Sequence, residues 1–555
     1  MKKMNKYKIK LIELLKGVQI LSDLDINIEA PKDSSNGDFA LPCFSFSKKI
    51  NKNPNEIAND ILNLLKDNEI FDISVAGPFL NFKIKSNILI DEILEYKNNL
   101  KELNNIGGGK RILIEYSSPN TNKSQHLGHL RNNLLGVSLA NIFKVAGFNV
   151  VTSCIFNDKG TAMAKTIWGY RKFGNGLEPK EIKSDKFVAD FYVKASQYEK
   201  EHPEITEEIN EINRKWEDGD EEVRSDWKKL VNWVMDGYNE TYERLGCTFD
   251  KPYFESDIYR NGKEIAQQAL KDNILKVGDG SAVVTDFEKY NLPNTVVIKS
   301  DGTSLYITQD IYLAKLRNEE IKADKTVYIV ANEQNLHFKQ LFALLDQLKI
   351  GKKEDYFHLN YGYVTLPTGR MKSREGTVID ADDLIDEVIK EAKSEQIGIG
   401  AIKFQFLKVD AFSDFVFDPT KSIELTGDTS VYIQYVFARI QSLLNKNCYD
   451  FNKEDFKTEK LKDSKQLEKE EINLMRELVS FNDSIEKVIE TYSPSNLCKK
   501  LLDISNAYNS FYQKCRILDL EDNDLKNFRL YLSYVTAQNI KFGLNLLGIN
   551  TVDKM

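Results

Sequence analysis

Along this chain the spacing of apolar residues changes repeatedly, and each change marks an element. Ile112, Leu113 and Ile114 form a short run rich in β-branched residues that suits a buried strand of a parallel sheet. Ser117, Ser118, Pro119 and Asn120 break the run, as turn residues do. From Leu127 onward the apolar positions Leu130, Leu134, Leu135, Leu139, Ile142 and Phe143 take the spacing of an amphipathic helix. A second strand is predicted over 148–155, and the turn Asn157-Asp158-Lys159-Gly160-Thr161 opens another helix. Strand, short turn and helix in this order predict an α/β domain with a doubly wound parallel sheet. Such sheets take ligands at the carboxyl ends of their strands.

The flanking regions have a different texture. Residues 1–105 read as a small α+β module, with helical patterns at 9–21 and 54–65 and strands around Ile73-Ser74-Val75 and Phe79-Leu80-Asn81-Phe82. Gly107-Gly108-Gly109 is a natural linker into the α/β region, expected to run over 106–414. Within it, about 170–250 is a charged helical insertion whose Trp216, Trp227 and Trp233 suit packing better than stacking on bases. From Gly278 the sheet is expected to resume with two strands and a turn leading into a helix. If that helix has begun by Tyr306, Tyr306 and Asp310 share a face. Residues 325–330 form another buried strand, which runs into Asn332-Glu333-Gln334-Asn335-Leu336-His337 and a helix beginning near Phe338. Beyond Phe415 helix follows helix without a strand signal, so 415–555 is expected to be a separate all-α domain.

Composition narrows the class without naming a function. A chain of 555 residues is too long for one core and suggests about three or four domains. No apolar run approaches a membrane span, and the basic, charge-interrupted N-terminus lacks a signal peptide's apolar core. The six cysteines are scattered, with no CxxC pair and no histidine at zinc spacing. Free thiols, a cytoplasmic location and no bound metal are therefore expected. A net charge of −8 does not advertise a nucleic-acid binder, but binding depends on a local basic face rather than on the whole-chain sum.

The strongest chemical signal is His126-Leu127-Gly128-His129, at the hand-over from strand to helix. Two of the chain's five histidines fall here. Unpaired backbone N–H groups and the positive end of the helix dipole make this position an anion site. The imidazoles add donors for phosphate oxygens, and Gly128 lets a flat base approach the backbone.

This segment resembles the HIGH signature of class I aminoacyl-tRNA synthetases, with Leu127 in the isoleucine position. The longer string Glu115-Tyr116-Ser117-Ser118-Pro119-Asn120, followed by Lys123 and His126, resembles arginyl-tRNA synthetases in particular. Arg370-Met371-Lys372-Ser373-Arg374, in a loop at about 367–378, resembles the second class I signature, KMSKS, with Ser373 where the second lysine is usual. Gly37-Asp38-Phe39-Ala40, Asn53-Pro54 and Val75-Ala76-Gly77-Pro78 resemble that family's N-terminal domain.

The resemblance implies a Rossmann-like (HUP) catalytic domain between an N-terminal tRNA-binding domain and a C-terminal anticodon-binding domain. It implies ATP, taken with Mg2+ as a substrate complex, at His126, Gly128, His129, Met371, Lys372, Ser373 and Arg374. Lys123, Lys372 and Arg374 are alternatives for the cation that replaces the missing lysine. For arginine it implies Glu115, Ser117, Asn120, Tyr306, Asp310 and Gln334. A guanidinium has donors and no acceptor, so a pocket of carboxylates, carbonyls and an aromatic wall suits it. Tyr432, Tyr435 and Arg439 recur at helical spacing, a stripe that serves either as core or as a stacking surface for unpaired bases. The resemblance favours the second and adds Tyr512 and Met555 at the anticodon. The implied activity is ATP-dependent arginylation of tRNA(Arg) by a monomer.

Overall fold

The computed structural model describes residues 6–29, 31, 36–95, 103, 105–367, 379–447 and 467–555. Met371, Lys372, Ser373 and Arg374 lie outside these residues. The chain divides into two contact units. One comprises Met1–Ile106, Arg439–Glu486 and Lys500–Ile540, and the other Gly107–Ala438, Lys487–Lys499 and Lys541–Met555.

In the first unit, β1 (Phe39–Pro42), β2 (Phe71–Ala76) and β3 (Phe79–Ile84) form an antiparallel sheet in the order β1-β3-β2. A helix at Pro54–Leu65 buries Ile57, Ala58, Ile61 and Leu65. Its start is written in the sequence: the Asn53 side chain accepts from the Asn55 N–H, and Pro54 pre-sets the first turn. The pattern at 9–21 is a helix over Lys6–Lys16 followed by a short 3-10 turn at Gln19–Leu21. Gly37 has φ +146°, and a Cβ there would lie 2.7 Å from the Phe82 carbonyl oxygen. The backbone thus passes where only glycine fits. It delivers Asp38, which accepts from the Ile84 N–H at 2.7 Å and pairs with Arg476 at 3.0 Å. In the helical part, buried Glu471 and Arg529 form a two-pronged pair at 2.9 and 2.8 Å.

The second unit carries the main sheet. Its strands β4 (Arg111–Glu115), β5 (Asn149–Phe156) and β6 (Lys251–Phe254) are followed by three short strands, β7 (Lys276–Val277), β8 (Val283–Val284) and β9 (Val296–Ile298). Then come β10 (Lys325–Ala331) and β11 (Tyr356–Tyr361). The parallel sheet runs β11-β10-β4-β5-β6. Connections leave β4 toward β5 and return on its other side to β10, so the switch point lies between β4 and β10.

Three expectations need correction. The strands near 283 and 296 do not extend the main sheet. They form a separate antiparallel sheet with β7, because pairs of apolar residues are too short to cross a parallel core. The main sheet is completed instead by the edge strands β6 and β11. Strand signal also persists at Phe415, since Phe415–Val416 (β13) pairs with Val364–Thr365 (β12). The third is a boundary: the helix after β10 begins at Asn335 rather than near Phe338.

Two side-chain clusters hold the elements that precede residue 368 and follow residue 378 in the chain. Arg131, fully buried in the helix Leu127–Val145, donates to the carbonyls of Gly362, Asp410 and Ala411 at 2.7, 3.0 and 3.2 Å. Its guanidinium lies 4.9 Å from the centre of the Phe415 ring. After residue 378, buried Asp382 is held by Lys183, Thr241 and Arg244 at 2.7, 2.8 and 3.0 Å. The helical insertion therefore anchors the helix Ala381–Ala392. Arg131→Met leaves the Gly362 carbonyl without its donor, while those of Asp410 and Ala411 keep the Ser413 and Gly362 N–H groups, and should destabilise this unit by about 2 kcal/mol. A denaturant midpoint that does not move would remove Arg131 from the clamp.

Candidate active site

His126 is the cap of the helix Leu127–Val145, and its Nδ1 accepts from the Gly128 N–H at 3.1 Å. His129 returns the favour, its Nδ1 accepting from the His126 N–H at 3.1 Å. This reciprocal box satisfies two orphan donors of the helix start. It also fixes the tautomer: with Nδ1 accepting, the proton of each neutral ring sits on Nε2. The rings lie 4.0 Å apart between centres. Burial lowers His126 to about 4, the Lys123 charge adds to the effect, and Asp380 opposes it. His129 lies well below its ordinary value, through burial first and then His126 and Lys123. Both imidazoles are therefore neutral Nε2–H donors at physiological pH. A Cβ on Gly128 would lie 3.1 Å from the His126 ring, so the glycine also preserves the cap.

The chain that follows the second signature returns to this helix start. Asp380 pairs with His126 in an isolated antiparallel bridge, and the Ala381 N–H donates to the Gln125 carbonyl at 2.9 Å. Asp380 and Ala381 thus lie beside the helix start. Lys123 stands within electrostatic reach of both imidazoles. The turn that carries it begins with Ser117 and Ser118, at φ 72° and 48°. Two successive left-handed serines cost about 1 kcal/mol or more each, a strain common at functional sites.

The six residues expected to hold arginine are distributed unevenly. Glu115, at the end of β4, is buried, and its carboxylate is paired with Arg317. Arg317 also donates to the Ser153 hydroxyl at 3.0 Å. Ser117 is buried too, its hydroxyl 2.7 Å from that of Tyr242 and its N–H donating to Asn132 at 2.5 Å. The other four are accessible. Asn120 and Gln334 are exposed after β4 and β10 respectively, and Tyr306 is 76% exposed at the start of the helix Tyr306–Glu320. Asp310, one turn along, is half-buried and meets His337 Nε2 at 2.7 Å. Burial opposes protonation of His337, but the Asp310 hydrogen bond and charge outweigh it and raise the pKa. Glu115 faces Tyr328 across the sheet, and Tyr328 feels the charges of Arg317, Glu115 and Asp310.

Sequence reasoning gave no role to Arg317, Asn132 or His337. Arg317 lies seven residues after Asp310 on one helix, a spacing that puts both on one face. That periodicity was the available signal. His337 stands inside the quoted Gln334 segment, without any local sign of a carboxylate partner.

In the helical region, the helix Ser430–Lys446 carries Tyr432, Tyr435 and Arg439. Tyr435 is 40% exposed, Met555 is 50% exposed, and the Arg439 guanidinium lies 3.9 Å from the centre of the Tyr512 ring.

A parallel sheet with a histidine-capped helix at its switch point is the core of a class I synthetase. Residues 89–419 match the family model for the class I tRNA synthetase (R) catalytic domain. Residues 5–84 match the arginyl tRNA synthetase N terminal domain, and 433–555 the DALR anticodon binding domain. The arginine--tRNA ligase of Treponema denticola is 39% identical, over 96% of this chain and 95% of its own. That of Parabacteroides distasonis is 36% identical, over 96% of both. The Thermus thermophilus arginyl-tRNA synthetase structure superposes with a TM-score of 0.82 at 24% identity, covering 99% of this chain and 100% of its own. The chain belongs to the arginyl-tRNA synthetase family.

His126→Asn keeps a good helix cap but removes the Nε2 donor. It should lower ATP–pyrophosphate exchange at least tenfold while leaving thermal stability close to that of the parent. Equal activity would exclude the donor role. The folded pKa of His126 lies below the unfolded one, so its stability contribution is complete above about pH 6.5 and lost as pH falls toward 4.

Proposed function

We propose that this chain activates L-arginine with MgATP and transfers it to the 3′ end of tRNA(Arg). An oxygen of the arginine carboxylate attacks the α-phosphorus, and pyrophosphate leaves. A ribose hydroxyl of the tRNA then attacks the activated carbonyl, and AMP leaves. The first step needs no protein base, because its nucleophile is already an anion. Catalysis is positioning, together with stabilisation of charge on the phosphate. We assign the latter to the Nε2–H groups of His126 and His129 and to Lys123, with Lys372 and Arg374 from the second signature. Gly128, Met371 and Ser373 complete the ATP site.

For the amino acid, we assign the guanidinium to Asp310, with Tyr306 as the aromatic wall and Asn120 and Gln334 toward the α-amino end. Glu115, already paired with Arg317, and Ser117, whose hydroxyl meets that of Tyr242, are assigned a supporting part in the same pocket. Tyr432, Tyr435, Arg439, Tyr512 and Met555 are assigned to the anticodon loop. The observation that carries the reading is the pair of neutral imidazole donors at the sheet's switch point, with Asp380 bridged to His126.

ATP–pyrophosphate exchange with each amino acid, with and without tRNA, tests it. Exchange should depend on arginine and on tRNA; exchange with lysine or cysteine instead would refute the assignment. Arg439→Gln should raise KM for tRNA about tenfold and leave KM for arginine in place. An unchanged KM for tRNA would return the stripe to the core.

A further inference from the structure

Asp310 is the accessible carboxylate of the proposed arginine site, and one of its oxygens is already engaged. His337 Nε2 lies 2.7 Å from Oδ2, and both side chains retain about a third of their surface, 28% and 34%. Glu115 cannot share the task, because Arg317 neutralises it. The two partners come from different helices, Asp310 one turn into Tyr306–Glu320 and His337 in the first turn of Asn335–Gln347. The His337 ring sits edge-on to Phe338, and Phe338 stacks on His358 at 4.3 Å.

The charged neighbours are few. His358 on β11 faces His337 and is itself lowered to about 4 by burial, opposed by the Val330 hydrogen bond. Glu255, after β6, faces Asp310 and has a raised pKa, chiefly from burial, with Lys159 opposing. Neither supplies a cation at His337 near neutrality, so the Asp310–His337 pair titrates through the His337 ring.

We propose that His337 is the positioning residue for Asp310: it holds Oδ2, leaves Oδ1 for the substrate guanidinium, and by its own charge sets how strongly arginine binds. The inference rests on the arginine-site reading given above. A neutral imidazole donates one hydrogen bond and leaves a full negative charge for the guanidinium. An imidazolium cancels that charge at hydrogen-bond distance and places a cation beside the incoming cation. Protonation therefore weakens arginine without touching ATP. As pH falls through the raised His337 pKa, KM for arginine rises.

The test measures KM for arginine and for ATP in tRNA-dependent pyrophosphate exchange from pH 6 to pH 8. Parent enzyme, His337→Gln, His337→Ala and Asp310→Asn are compared, all as the full chain. The parent should show KM for arginine rising about tenfold toward pH 6, with KM for ATP level. His337→Gln keeps a donor without a charge and should abolish that slope. His337→Ala should abolish it as well and raise KM for arginine at every pH, which Gln then rescues. Asp310→Asn should raise KM for arginine at least a hundredfold at all pH values. A slope that survives in His337→Gln overturns the role of His337 alone. An Asp310→Asn enzyme with the parent's KM for arginine overturns the arginine site, and this inference with it.

Discussion

The site depends on one reciprocal hydrogen-bonded cap. Each of two imidazoles accepts a backbone N–H at its Nδ1, and each is thereby committed to carrying its proton on Nε2. A helix start is often satisfied by an aspartate oxygen, which only accepts and carries no proton to give an anion. Histidine accepts on one side of its ring and donates on the other. The same pair therefore completes the helix and arms its N-terminus. Burial and the nearby Lys123 charge reinforce the arrangement by keeping the rings neutral. Gly128 and Asn132 belong to the same construction, one by leaving room for the ring and the other by fixing the preceding turn.

Charge placement on the amino-acid side follows a second rule. The helix Tyr306–Glu320 presents Asp310 at its exposed start and Arg317 two turns deeper. The deeper guanidinium meets Glu115 inside the protein. A buried carboxylate without a cation would be strongly disfavoured, and Arg317 supplies that cation before any substrate arrives. What remains at the surface is one carboxylate held by a histidine. Under the arginine-site assignment proposed above, selectivity for a guanidinium comes from a small number of accessible acceptors rather than from a dense acidic cluster.

Much of the scaffold was legible in the sequence because local rules agreed with the fold. The helix at Pro54–Leu65 has its cap and proline in register, and β4 and the helix Leu127–Val145 announce themselves by a clean change of period. Strands β6 and β11 were not legible. Each pairs on one side only, and sequences such as Lys251–Phe254, with a proline, lack the continuous apolar run of a central strand. Short valine pairs at β8 and β9 were over-read as members of the main sheet for the converse reason. In the site, the histidines, Asp310 and Gln334 could be named, but their partners could not. Glu115 and Arg317 are 202 residues apart, and Asp310 and His337 are 27 apart. Such contacts are products of tertiary folding that no spacing rule reports.

The most direct measurement is 15N NMR of histidine-labelled protein at pH 6, with and without a non-hydrolysable ATP analogue. The account predicts His126 and His129 rings with an unprotonated Nδ1 and a protonated Nε2, and nucleotide-induced shifts at Nε2 alone. Rings that titrate near pH 6.5, or that carry the proton on Nδ1, would contradict it.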